Sequence, residues 1–302
     1  MNALIIFSYG NIQSLDDIDI FYNSLSHGHG TEEMFDRGYK LFRSIGTCDP
    51  LASTTKRIGR MLISQLENQT QSKWKYYIGN KHTFPSIENA VQQAVQDGAR
   101  EIFTLSLTPL YSKTGSRVYE RVVAKALRHH EKEHLPLKHI RPYYNNDSFI
   151  NLLAERLQDA INWLPNEISD DAEIIFTSHS MPGNEKTQYD FIRQYEYLAK
   201  KIMEKVAINT YRLAYRSESP GPQSWLGPDI LDVVQEVAKD GKKGVIVCEV
   251  LSIIANAEVI QEVGRDAQHL THKLGMEFVQ TEYLNDSADF VEVLTQHIMN
   301  EI

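Results

Sequence analysis

Thiols are scarce in this 302-residue sequence, which carries only Cys48 and Cys248. Two cysteines cannot supply the four thiolates of an ordinary iron–sulfur cluster, and they make no disulfide framework. The expectation is two small buried or half-buried residues in a protein kept in a reducing cytoplasm. Long apolar runs are missing too. None approaches the roughly 20 residues that span a bilayer. The short run Ala3 to Phe7 has no cationic segment before it and does not read as a secretory signal. Positive charge is in deficit: 31 Lys and Arg against 40 Asp and Glu leave a net charge of −9. That balance argues against nucleic acid or an anionic membrane as the main partner. Gly28 and Gly30 make no dinucleotide fingerprint, because no apolar strand precedes them. There is no low-complexity tract.

What the chain has is apolar material, 42% of its residues, enough to build two ordinary domains. Strand-like runs occur at Ala3 to Phe7, Trp74 to Ile78, Glu101 to Leu107 and Leu137 to Tyr143. A second set follows at Glu173 to Thr177, Tyr211 to Tyr215, Gly244 to Val250 and Met276 to Thr281. Stretches with helical spacing lie between them, at Thr55 to Leu66, Ile87 to Val95, Val118 to Leu127, Phe149 to Trp163, Tyr189 to Val206 and Ile230 to Val237. Strands alternating with helices imply parallel sheets covered on both faces. The expected fold is α/β, with two similar doubly wound halves of four strands each and a seam near Trp163-Leu-Pro-Asn166. The expected bounds are residues 1–163 and 164–285.

The chemistry-bearing segment is Phe176-Thr-Ser-His-Ser-Met-Pro182. It places His179 directly after a buried-strand run, where open α/β sheets build their sites. Pro182 keeps the turn extended and the imidazole exposed. A histidine that merely caps a loop is the plain alternative. Later come Tyr215-Arg-Ser-Glu218, Trp225-Leu-Gly-Pro-Asp229 and Asn256-Ala-Glu258, the last opening a helical stretch. Glu258, Glu262 and Asp266 recur every four residues, which on a regular helix draws one acidic stripe. A solvated acidic face is the ordinary meaning of such a stripe.

Together these segments resemble the ferrochelatase family, in particular its compact Gram-positive branch. His179-Ser-Met-Pro182 matches the family's His-Ser-(Leu/Ile/Met)-Pro, and Arg216-Ser-Glu218 with Trp225 to Asp229 matches Gln-Ser-Glu…Trp-Leu-Gly-Pro-Asp, arginine replacing glutamine. Ser8-Tyr9-Gly10, His27-Gly28, Ile45-Gly46, Pro50-Leu51-Ala52 and Tyr77-Ile-Gly79 with Lys81-His82 continue the match along nearly the whole chain. The resemblance implies two Rossmann-like domains of the chelatase fold, with the C-terminal helix, 286–302, packing back on the first domain. It also implies insertion of Fe(II) into coproporphyrin III or protoporphyrin IX to form haem. Iron would be a substrate and no organic cofactor would be needed, in a cytoplasmic monomer whose partners are porphyrin or haem and ferrous iron. Removal of iron from haem, or a non-catalytic porphyrin binder, are the alternatives.

Under that resemblance His179 becomes the base for the pyrrole protons, since imidazole accepts protons near its ordinary pKa of about 6.5. Glu258 becomes its inner acidic partner. The metal path would comprise His179, Glu258, Glu262 and Asp266, with the last two in outer relay roles. Porphyrin contacts would come from Tyr9, Tyr22, Ser26, Tyr111, Ser112, Arg216 and Trp225. For Tyr9, packing at a strand end stands as an equal reading. The histidines at His27, His29, His129, His130 and His134 read as surface features.

The chain also departs from the family. Asn256 stands at the second histidine and Ala255 at its acidic neighbour, and asparagine cannot carry a proton onward. Leu25-Ser-His-Gly28, Leu41-Phe42 and Asp49 replace arginines and hydroxyls that hold propionates in Gram-positive relatives, and Pro109-Leu-Tyr-Ser112 replaces Pro-His-Tyr-Ser. Ser26, Arg43, Ser44 and Lys113 are candidates for compensating donors. These changes favour a tetrapyrrole whose carboxylates are arranged differently, or masked, over coproporphyrin.

Overall fold

The computed structural model describes residues 1–46, 49–206, 210–218 and 223–302. Cys48 lies outside the described residues. The chain divides into two compact units: unit 1 comprises Met1–Leu107, Tyr111–Pro142 and Asn285–Ile302, and unit 2 comprises Thr108–Leu110 and Tyr143–Leu284.

Unit 1 runs β1 (Asn2–Ser8), α1 (Asp17–Leu25), α2 (Glu32–Ser44), α3 (Pro50–Thr70), β2 (Trp74–Asn80), α4 (Ile87–Gln96), β3 (Glu101–Ser106), α5 (Ser116–His129) and β4 (Leu137–His139). Its sheet has the order β2-β1-β3-β4, all parallel. Ala3 to Ile6 are fully buried, as expected of a central strand covered on both faces. Ala3, Ile5 and Phe7 share a core with Ile87, Val91 and Ala94 of α4 and Tyr119, Val123 and Leu127 of α5.

Unit 2 runs α6 (Asp147–Asn162), α7 (Asn166–Ser169), β5 (Ala172–His179), α8 (Tyr189–Met203), β6 (Tyr211–Arg216), α9 (Ile230–Lys239), β7 (Gly244–Glu249) and α10 (Ala257–Gln261). A π-helical segment, Glu262–Ala267, then leads into α11 (Gln268–Lys273) and β8 (Glu277–Gln280). The parallel sheet order is β6-β5-β7-β8. The chain passes from β5 to β6 on one side, then crosses to β7 on the other. That creates a switch point beyond the carboxyl ends of β5 and β7, where such sheets open a crevice. The last helix, α12 (Ala288–Met299), belongs to unit 1 and packs against α3, with Thr295 donating to Gln65.

All eight expected strands form, although β4 stops at His139, short of the expected Tyr143. The expected seam at 163–166 is displaced: the division falls between Pro142 and Tyr143. The cause is α6, which packs on α8 and on β7 and β8, with Tyr144 edge-on to Tyr197 at 5.8 Å. α1 and α2 are additions to the sequence reading. α2 needs Gly38, because a Cβ there would lie 2.2 Å from the Tyr22 ring.

Candidate active site

β5 delivers His179 at its last position, and the loop after it is clamped. Ser180 N–H donates to the Arg216 carbonyl (2.8 Å), Leu226 N–H to Met181 (3.1 Å) and Gly183 N–H to Ser224 (2.7 Å). The Ser180 hydroxyl donates to the Leu226 carbonyl at 2.7 Å, and Pro182 bridges Trp225. The Trp225 segment therefore holds the histidine loop, and Trp225 itself is half-buried. His179 Nδ1 lies 2.7 Å from the Ser180 carbonyl oxygen. A carbonyl only accepts, so Nδ1 carries the proton and Nε2 is left as the basic nitrogen.

That Nε2 faces Glu258 Oε2 at 3.6 Å, with the two side chains 31% and 42% exposed. Glu258 sits in the first turn of α10, whose N-cap is Asn256: its Oδ1 accepts from Val259 N–H at 3.0 Å. Burial alone would lower the pKa of His179. The Glu258 carboxylate and the Ser180 carbonyl outweigh burial and the opposing Arg216 charge, leaving it above 6.5. For Glu258, burial pushes upward, while His179 and Arg216 pull harder and leave it below the ordinary carboxylate value. The pair thus favours a carboxylate beside an imidazole that holds a proton more firmly than a free one.

Arg216, expected among the porphyrin contacts, is in register with His179 on the neighbouring strand. Its side chain is 1% exposed and spends its donors inside unit 2, on Glu249 (2.9 Å), Glu262 (3.1 Å), Ser217 and Ser252. Burial works against its charge, but Glu249 and Glu262 more than offset this and raise its pKa.

The acidic stripe is corrected as well. The helix turns π at Glu262, so Glu258, Glu262 and Asp266 do not lie on a single regular α-helix. Glu258 meets His179, Glu262 meets Arg216 and Ser217, and exposed Asp266 accepts from Gln261 at 2.8 Å. Among the described residues no group of three or more His, Cys, Asp or Glu is arranged to hold a metal ion. π-turns recur at functional positions, and this one has no signal in the spacing of the sequence.

In unit 1, Tyr9 follows the end of β1 and is 42% exposed. Its ring meets His82 at 4.6 Å and Phe21 at 6.0 Å, both edge-on, and Lys81 Nζ lies 5.2 Å from its centroid. Burial, then the Lys81 and His27 charges, push His82 down to about 4, so it is neutral. Lys81 and His82 were visible as a motif after β2, without a role. The other expected contacts are locally engaged. Tyr22 packs on Gly38, Ser26 donates to the Tyr22 carbonyl at 2.8 Å, Tyr111 donates to Glu120 at 3.1 Å, and buried Ser112 accepts from Gly115 N–H at 3.0 Å. His129 and His130 meet edge-on at the end of α5. Cys248 is a free, buried thiol pushed up to about 12 by burial, in keeping with the expectation.

The ferrochelatase family model matches residues 2–302. The chain belongs to the ferrochelatase family. It is 27% identical over 294 residues to the ferrochelatase of Herpetosiphon aurantiacus, covering 97% of this chain and 96% of that one. It is 30% identical over 296 residues to the coproporphyrin III ferrochelatase of Listeria monocytogenes serotype 4b, covering 97% and 95%. Among solved structures, SirB from Bacillus subtilis with Fe3+ superposes with a TM-score of 0.61 at 12% identity, covering 99% of this chain and 95% of that chain. That likeness establishes the chelatase fold. Ferrochelatases are lyase-type metal chelatases that insert iron into a porphyrin to form haem.

Within this ferrochelatase the departures from the family have structural explanations. Asn256 caps α10 instead of titrating. Asp49 is the N-cap of α3 and accepts from Leu51 N–H at 2.9 Å. Phe42 is core. Ser44 donates to the Leu41 carbonyl, and Arg43 lies over the Tyr39 ring.

Proposed function

We propose that this ferrochelatase inserts ferrous iron into a porphyrin carrying two free propionates, with His179 as the base and Glu258 as the carboxylate beside it. The observation that carries the reading is the His179–Glu258 pair at the carboxyl end of β5. Metal insertion releases two pyrrole protons. His179 Nε2 has its lone pair available because Nδ1 is committed to the Ser180 carbonyl, and Glu258 stabilises the imidazolium that forms. The proton then leaves the pair to solvent, to which both groups are partly open. Carboxylate oxygen and imidazole nitrogen suit Fe(II) as a passing substrate, and no organic cofactor enters the reading.

Two propionates are favoured over four because donors are missing where Gram-positive relatives hold carboxylates. Asp49 is an acid used as a cap, Leu41 and Phe42 are apolar, and Ser26 and Ser44 donate within their own helices. A charge-assisted bond contributes roughly 1.5–3 kcal/mol, so a porphyrin with four carboxylates gains little here. Among the described residues no helix is long and apolar enough to cross a membrane. A cytoplasmic location is part of the proposal.

The deciding assay incubates the protein anaerobically with Fe(II) and either protoporphyrin IX or coproporphyrin III and follows the Soret band. Haem formation, faster with protoporphyrin IX, is expected. A parallel sample of haem with reductant that loses iron while the forward reaction stays silent would reverse the direction assigned.

A further inference from the structure

Two carboxylates one turn apart after β7 have different partners. Among the described residues, Glu258 is bonded to no cationic side chain other than the His179 it faces. Glu262 Oε2 accepts both Arg216 Nη1, at 3.1 Å, and the Ser217 hydroxyl. Arg216 cannot shed its proton, and at 1% exposure it cannot swing out to water without leaving Glu249 behind. Glu249 is itself 3% exposed; its other oxygen accepts Leu251 N–H at 2.9 Å and Ser252 N–H at 2.7 Å. The cation is therefore fixed from two sides.

A second, independent feature points the same way. Ser217 has φ +64°, a left-handed conformation that costs a β-substituted residue and persists where the surroundings impose it. That backbone sets the Ser217 hydroxyl between Arg216 and Glu262, accepting from one and donating to the other. A divalent ion approaching Glu262 meets a buried positive charge within bonding distance of the same carboxylate, and screening by salt is weak at such depth.

We propose that Arg216 is a positioning residue whose guanidinium occupies the cation place beside Glu262, so that substrate metal is taken up at His179 and Glu258 with no relay through Glu262. This rests on the reading of His179 and Glu258 given above. The resemblance assigned Glu262 an outer relay role alongside a glutamine at position 216, and arginine in that position removes the role.

The test is Co2+ binding by titration calorimetry and visible absorption on the whole chain. The native protein is expected to bind a single Co2+, and Glu262→Gln to leave that stoichiometry unchanged. Arg216→Gln alone strands Glu249 and is liable to misfold. The double variant Arg216→Gln, Glu249→Gln removes a charge with its counter-charge and is expected to gain a second, weaker Co2+ site, which adding Glu262→Gln abolishes. Its apparent KM for metal should change while that for porphyrin does not, a split that loss of packing alone would not give. Loss of a bound ion in Glu262→Gln alone, or no second ion in a folded double variant, overturns the proposal. Groups supporting a metal site typically contribute about 10–100-fold in affinity, well within what the titration resolves. Glu258→Gln separates the two ideas: if the native ion survives it, the site reading fails, whereas the gain of the second ion still reports on Arg216.

Discussion

His179 Nε2 and Glu258 Oε2 stand 3.6 Å apart, beyond a good hydrogen bond yet close enough for each charge to stabilise the other. Because Glu258 raises the imidazole pKa, the proton-accepting form dominates only above a value higher than 6.5. Activity should therefore climb with pH, with a midpoint above that of free imidazole. His179→Ala should abolish insertion with the circular dichroism spectrum unchanged. Full turnover in a steady-state chelatase assay would remove His179 from the role of base.

The same pair has a stability signature. His179, with its pKa raised on folding, contributes stability that is complete below about 6.5 and lost as pH rises through the folded value. Glu258, with its pKa depressed, contributes above about 4.3 and loses it as pH falls through its folded value. The gap in melting temperature between the native protein and Glu258→Gln should be widest between those limits and narrow on both sides. A gap that is flat from pH 4 to pH 8 would show that the charges do not interact.

Position along the acidic segment should matter. Glu258 faces the imidazole, while Asp266 is exposed and bonded to Gln261. Glu258→Gln is expected to lower kcat/KM by at least about tenfold, a loss of about 1.4 kcal/mol of transition-state stabilisation. Asp266→Asn should stay within about twofold. Equal losses in parallel assays would restore Asp266 to the path.

Restoring the family's second histidine should not help this chain. Asn256 accepts from Val259 N–H and so caps the helix that carries Glu258. Replacing an asparagine cap by a residue that cannot cap costs roughly 1 kcal/mol. Asn256→His should lower the melting temperature and leave turnover no higher than native. A clear gain at neutral pH would mean that proton or metal relay, and not the placement of Glu258, sets the rate.

Porphyrin choice follows from the lost donors. Fluorescence-quenching titrations should show coproporphyrin III bound no more tightly than protoporphyrin IX. A tighter coproporphyrin complex would show that donors other than Ser26 and Ser44 hold its extra carboxylates.

The eight strands were legible because β-branched and aromatic runs announce themselves, as in Gly244 to Glu249, every residue of which is buried. α2 was not legible: Gly38 and Phe42 are its only buried residues among those described, and the reason for Gly38 is the ring of Tyr22, distant in sequence. In the site, His179 and Glu258 could be found from motifs at a strand end and a helix start. The ion pairs of Arg216 were not legible because its counterions, Glu249 and Glu262, lie 33 and 46 residues away, and nothing local distinguishes a buried arginine from one reaching for a ligand. The π-turn was hidden for a related reason: four-residue spacing looks the same whether or not the backbone widens.

The placement of α12 reverses the order in which the two units can be completed during synthesis. Phe290, Val291, Leu294 and Ile298 are fully buried and belong to unit 1, yet they follow all of unit 2 along the chain. Domains generally fold as units while the chain emerges. Unit 2 has its whole sheet once β8 has appeared, while the face of α3 that receives α12 waits for the last helix. The unit that begins the chain is thus the last to close, and a nascent protein halted after β8 exposes an unfinished core in unit 1 beside a finished unit 2.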